Sequence, residues 1–323
     1  MMVALNRKWV IGSTLGLVVL GWLIAVWWSI EPDAIEYAQL RSEPQVTGYA
    51  TTTAAILITE TLLDKPGGFL SNDKLPPSVF MDNMPAFEFG ALEQVRDLTL
   101  VMRKDLSRSQ SQSTADPDLQ KAQPKFNIDH RSWVIPSAES QYREGAASLR
   151  AYRDRISDPT QPTAQFYARA DNLVALLDQV DKRLGSLSQR LSASVGQSRL
   201  NTDLAGDSSA SSSTLTVSDQ IVKTSWWKID DVFYESRGSC WALLGIMRAV
   251  ELDFEQVLEK KNATVSLQQI IRELEATQET VWSPMVLNGS GFGIVANHSL
   301  VMANYISRAN AALIDLKQLL TQG

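Results

Sequence analysis

The chain is poor in the residues that carry most enzyme chemistry. Among 323 residues there is one cysteine, Cys240, and there are two histidines, His130 and His298. One cysteine forms no intrachain disulfide, and with two distant histidines it builds no Cys/His zinc site. Neither histidine stands in a metal-ligand spacing such as HExxH. Positive charge is also short: 30 Lys and Arg face 36 Asp and Glu, for a net charge of -6. A nucleic-acid binder carries the opposite balance. No alternating strand pattern stands out, and no glycine-rich loop precedes a Lys-Ser/Thr pair. The stretch Gly289-Ser-Gly-Phe-Gly293 therefore does not qualify as a phosphate loop. No cofactor, metal or catalytic residue is expected from these patterns.

What is present begins with one long apolar run. Residues 9–30 carry no charge, and Arg7 and Lys8 precede them. As a helix this run covers about 33 Å, enough for a hydrocarbon core of about 30 Å. Trp9 lies at one end and Trp22, Trp27 and Trp28 toward the other, as suits the two membrane interfaces. A cleaved signal peptide is the rival reading, but its apolar region is shorter and ends in small residues. The positive-inside rule places residues 1–8 in the cytoplasm and 31–323 outside it. Gly12 and Gly16 form a GxxxG, which permits a close helix–helix approach and a homo-oligomer, although glycine is common in such spans.

The rest reads as helices. An acidic connector covers 31–45. Helices are expected over 46–63, 86–107 and 137–156, with a short one from Asp118. Phe166, Ala170, Leu173, Leu177, Val180, Leu184, Leu187 and Leu191 then repeat at spacings of four and three. That is a heptad seam facing one partner helix, inside the chain or in another copy. Serine-rich residues 196–219 read as a flexible linker or loop. Beyond it, a helix is expected from 228 or 230 to 260. Another should start at the Ser266/Gln269 capping box and end at Ser283-Pro284. The last is expected over 295–320. The expected fold is all-α: one transmembrane helix and an elongated antiparallel bundle, with subregions 31–195 and 220–323.

Candidate sites are few. Gly238-Ser239-Cys240-Trp241 is similar to part of a papain-type nucleophile motif. The motif's second cysteine is missing, and Cys240 fits an apolar helix stripe. Asp230, Asp231, Glu235, Glu251 and Asp253 could supply paired carboxylates to a hydrolase of cell-wall or lipid material. Asp230 and Asp231 also suit a helix N-terminus. His130 and His298 are assigned surface or capping roles. Trp226 and Trp227 should close the end of the bundle, with sugar binding or membrane contact as alternatives. Asn262, Asn288 and Asn297 each start a glycosylation pattern, which arises often by chance.

Four segments carry a resemblance: SRSQSQSTADPDLQKAQP (107–124), WVIPSAESQYREG (133–145), RLGSLSQRLSASVG (183–196) and SWWKIDDVFYESRG (225–238). With them the chain resembles a family of uncharacterised gammaproteobacterial inner-membrane proteins defined by a domain of unknown function. The resemblance implies a Gram-negative envelope with the large domain in the periplasm, and implies no activity or catalytic residue. The expected function is a non-enzymatic scaffold or adaptor that binds an envelope protein. A hydrolase is the alternative. A ligand-binding sensor is less favoured, because only about eight residues precede the span.

Overall fold

Helices form every long element of the computed structural model, which describes residues 7–43, 45–109, 114–160, 164–200 and 219–322. Helix α1 (Arg7–Trp28) holds the apolar run except its last two residues, 29–30. Its segment Trp9–Trp28 is long and apolar enough to cross a membrane, and none of it is buried. Gly12 and Gly16 have open space beside them. Of the N-terminal segment 1–8, residues 1–6 lie outside the described residues.

The chain continues through α2 (Tyr37–Leu40), α3 (Tyr49–Asp64) and α4 (Asn83–Val101), the last extended by a π-turn at Met102–Leu106. Then come α5 (Pro117–Phe126), α6 (Ala138–Ser157) and α7 (Ala170–Ser192). Asp116 caps α5 by accepting from Asp118 N, with Pro117 in its first turn, and Ser137 caps α6 by accepting from Ser140 N. Both starts follow ordinary N-cap chemistry.

Where the linker was expected, strands β1 (Gln197–Leu200) and β2 (Asp219–Val222) pair antiparallel. These two short strands stand in an otherwise all-helical fold. Residues 201–218 of the expected linker, with the serine run, lie outside the described residues.

Helix α8 (Ile229–Asp253) follows a 3-10 turn at Trp226–Lys228. It stops at Phe254 and a short α9 (Glu255–Lys260) succeeds it, so the single helix expected to 260 is two. Helix α10 (Thr264–Ala276) begins after Asn262, which has a φ of 51°. Ser266 is therefore inside its first turn rather than its cap. The helix also ends earlier than Ser283-Pro284. The carbonyls just beyond it turn to Arg237 instead, as described below. Helix α11 (His298–Thr321) closes the chain.

Helix α8 is the axis. From Ser236 to Val250 every residue is buried, because α4, α3, α10 and the 31–37 connector surround it. A helix apolar on one face only would leave the other wet. Two glycines bring α8 and α4 together. A Cβ on Gly90 would lie 1.9 Å from Glu235 O, and one on Gly238 would lie 2.0 Å from Phe87 O. Neither helix can approach so closely with a larger residue there.

The heptad seam is satisfied within the chain. Leu173, Leu177, Val180, Leu184, Leu187 and Leu191 are buried, and α7 packs chiefly on α11. Ser188 meets Ser307, while Asp178 and Asp181 meet Lys317. Those contacts make the pair antiparallel. Phe166 and Ala170, at the head of the expected seam, are only partly buried against the core. The residues on either side of 196–219 share one hydrophobic core, which runs from Ile35 to Leu320.

Candidate functional site at one end of the bundle

Two buried arginines interrupt the apolar surface of α8, and their partners define the site. Arg237 Nε donates to Glu31 at 2.6 Å. Its two Nη atoms donate to the carbonyls of Thr277, Gln278 and Glu279 at 2.8–3.1 Å. These are carbonyls at and beyond the end of α10, which no helix turn satisfies. One turn on, Trp241 Nε1 donates to Asp33 O at 2.9 Å. Further along, Arg248 donates to Ile35 O at 2.7 Å and to Glu275 at 2.8 Å. Tyr37 then meets Glu251, and Asp253 accepts from Gly48 N and Thr51 N at 2.8 and 2.7 Å. The connector expected as an acidic, Pro-containing stretch is thus laid along α8 in the same direction.

The order of these contacts fixes which end of α8 faces α1. Trp28 packs against Gly67, and Glu31 lies at Arg237, near the N-terminal end of α8. The loop beside Trp28 is itself held by a buried ion pair. Lys65 and Glu88 are 2.7 Å apart, both almost wholly buried. Glu88 also accepts from Leu70 N and Ser71 N, each at 2.8 Å.

At this end lie two hollows, one on each side of α8. The first, about 380 Å³, is lined by Phe233, Thr277, Trp282, His298, Met302 and Tyr305 among others. The second, about 470 Å³, is lined by Asp73, Asp82, Phe89, His130, Asp231 and Glu235 among others.

Three sequence candidates therefore meet in the second hollow: His130, Asp231 and Glu235. Glu235 is held by Arg190, with Nη1 donating at 2.6 Å. Burial, with Asp82 and Asp230 nearby, raises the Asp231 carboxyl above the usual range, and its Oδ1 is buried with no hydrogen-bond partner. His130 stacks on Phe89 at 4.6 Å. Burial, and Arg131 next to it, lower its pKa. Glu251 and Asp253 do not join the group. At 1.5 Å per residue along α8 they lie roughly 30 Å from Asp231.

The remaining candidates have structural settings. Cys240 is fully buried, and burial pushes its thiol up to about 12, far from a nucleophilic thiolate. The neighbouring Gly238 serves the α4–α8 crossing. Asn297 caps α11 by accepting from Leu300 N, and His298 Nδ1 accepts from Leu287 N at 3.2 Å. Burial lowers the His298 pKa. Gly289 lies against the backbone of Val295 and Ala296, as a turn packed on itself. Trp226 and Trp227 depart from expectation. They are 68 % and 78 % exposed, because their 3-10 turn projects beyond the first turn of α8. Among the described residues no group of three or more His, Cys, Asp or Glu is placed to hold a metal ion.

Sequence reasoning passed over Arg237, Arg248 and Glu88. The available signal was a charge inside an otherwise apolar stretch, which buries only with a partner.

No curated protein and no solved structure matches the chain. Residues 3–323 match DUF2333, described as an uncharacterized protein conserved in bacteria, and with that coverage the chain belongs to this family.

Proposed function

We propose that the protein is a single-pass scaffold of the bacterial cell envelope. In this reading residues 9–30 span the inner membrane and residues 1–8 lie in the cytoplasm. Residues 31–323 form a periplasmic helical domain that binds another envelope protein. The observation that supports it is the clamp of residues 31–37 on α8 by Arg237, Trp241 and Arg248. A loose tether is enough to keep an enzyme near its substrate. A clamped one fixes the orientation of the domain over the membrane, which lowers the ordering cost of docking a second membrane-held protein.

In-cell photocrosslinking of the full-length chain tests this, with the reactive residue at the exposed positions Val301 and Ile314. Reproducible capture of one envelope protein is expected. Self-crosslinks alone would replace the adaptor with a homo-oligomer, with Gly12 and Gly16 as the first place to look. No capture at either position would count against a protein partner.

The 380 Å³ hollow favours a second reading, in which the domain binds a small apolar molecule. Trp282→Ala should then weaken uptake of a fluorescent fatty acid by the full-length protein. Absence of uptake by the wild type would remove this reading.

A further inference from the structure

Exposed apolar residues scattered singly are ordinary on a protein surface. Here they gather at one end. Phe80, Trp133, Trp226, Trp227, Trp282 and Phe292 are all strongly exposed, and they come from four separate segments. Shared surfaces join those segments. The loop bearing Phe80 meets His130, Arg131 and Asp231 in the 470 Å³ hollow. Trp226 and Trp227 line one groove with Met285 and Val295. The segment leading to Trp282 starts from the carbonyls held by Arg237. Charges of both signs stand among them, Lys74, Arg131 and Lys228 beside Asp73, Asp82 and Asp129.

This is the end from which α1 departs. Glu31, the first residue after the apolar run, is fixed at Arg237. From there the connector follows α8 toward its C-terminus, so the N-terminal turns of α8 lie on the anchor side of Glu31. Eight residues separate Arg237 from Ile229, about 12 Å of helix. The headgroup layer on each side of a bilayer is roughly 5–8 Å thick. Even an α8 axis inclined by 45° carries its tip back by roughly 8 Å. Tryptophan is the residue that favours this layer, with its ring in the acyl boundary and its N–H among headgroups.

We propose that these loops enter the bilayer interface on the domain's side of α1, so that the domain rests on the lipid surface around its own anchor. The inference rests on α1 crossing a bilayer, and on nothing else in the scaffold reading.

The test uses the full-length chain in nanodiscs of phosphatidylethanolamine and phosphatidylglycerol carrying a nitroxide on the lipid headgroup. A polarity-sensitive fluorophore is attached at Phe80→Cys, Trp133→Cys or Phe292→Cys, one at a time. Val265→Cys, exposed at the far end of α10, is the control. Buried Cys240 stays in place, and the unsubstituted chain gives the labelling blank. The expected result is a blue shift and strong loss of emission at the three tips, with neither at position 265. Water-like emission at all four positions would overturn the proposal. So would protection at the tips only in discs holding two copies, which would make a second chain the occupant. A chain that fails to enter the discs through α1 would instead defeat the anchor reading, a distinguishable outcome.

Discussion

Gly238 shows how much one missing methyl carries. Its backbone touches that of Phe87, and Gly90 makes the reciprocal contact with Glu235. Gly238→Ala must push α4 and α8 apart, at a cost of roughly 3 kcal/mol or more, the upper range of overpacking. Thermal or chemical melting should show that loss. A variant as stable as wild type would mean the helices separate without penalty. The motif Gly-Ser-Cys-Trp was visible in the sequence, but its meaning was not. A close helix crossing depends on a residue 148 positions away, Gly90, which no local pattern connects to it. Asp231 supports a different expectation. Its carboxyl is raised by burial, so the folded state holds the proton more tightly than the unfolded chain. Stability from this group is then present below the ordinary aspartate pKa of about 3.9 and is lost as pH rises through the folded value. Asp231→Asn should therefore stabilise the protein at neutral pH, with the advantage fading in acid. A neutral-pH loss of stability would contradict this account.

Among the elements, α7 was the most legible, because a spacing of four and three over so many residues admits one geometry. Its buried face predicts large penalties. Leu177→Ala and Leu184→Ala should each cost about 2–5 kcal/mol, read by melting of the full-length chain. The partner helix α11 was also legible in outline, though its pairing with α7 was not, since a stripe does not name what it faces. The ends of α8 and α10 were misread for a common reason. Each boundary is set by a distant group: Asp253 turns to cap α3, and Arg237 gathers the carbonyls beyond α10. Capping-box and proline rules see only neighbours. Replacing Arg237 by Ala frees Glu31 and at least three carbonyls together. Hydrogen exchange should rise in both 31–37 and 276–283, while exchange in α7 stays as it was. Exchange raised in only one of the two segments would show that Arg237 does not couple them.

At the scale of the molecule, the class of fold followed from periodicity, and the membership in one family covers nearly the whole chain. The arrangement of the end beside α1 was not legible. Trp226 and Trp227 are apolar and were expected to close the end of the bundle by packing. Their exposure follows from their place on a turn that projects from α8, and side-chain chemistry alone cannot reveal place. The connector was expected as a spacer between two objects, yet its carbonyls and carboxylates are claimed one after another by α8.

That series of claims has a mechanical meaning. The connector runs with α8 from Glu31 to Tyr37, so tension applied through α1 along the helix axis acts on the Glu31, Asp33, Ile35 and Tyr37 contacts in shear, all at once. A connector that met the domain at a single point would peel away one bond at a time. Pulled between α1 and its C-terminus, the chain should yield in one abrupt rupture that includes residues 31–48. Early release of about that length, before the domain opens, would show that the clamp bears little load. A protein built in this way passes a displacement of α1 to the centre of its core with little slack.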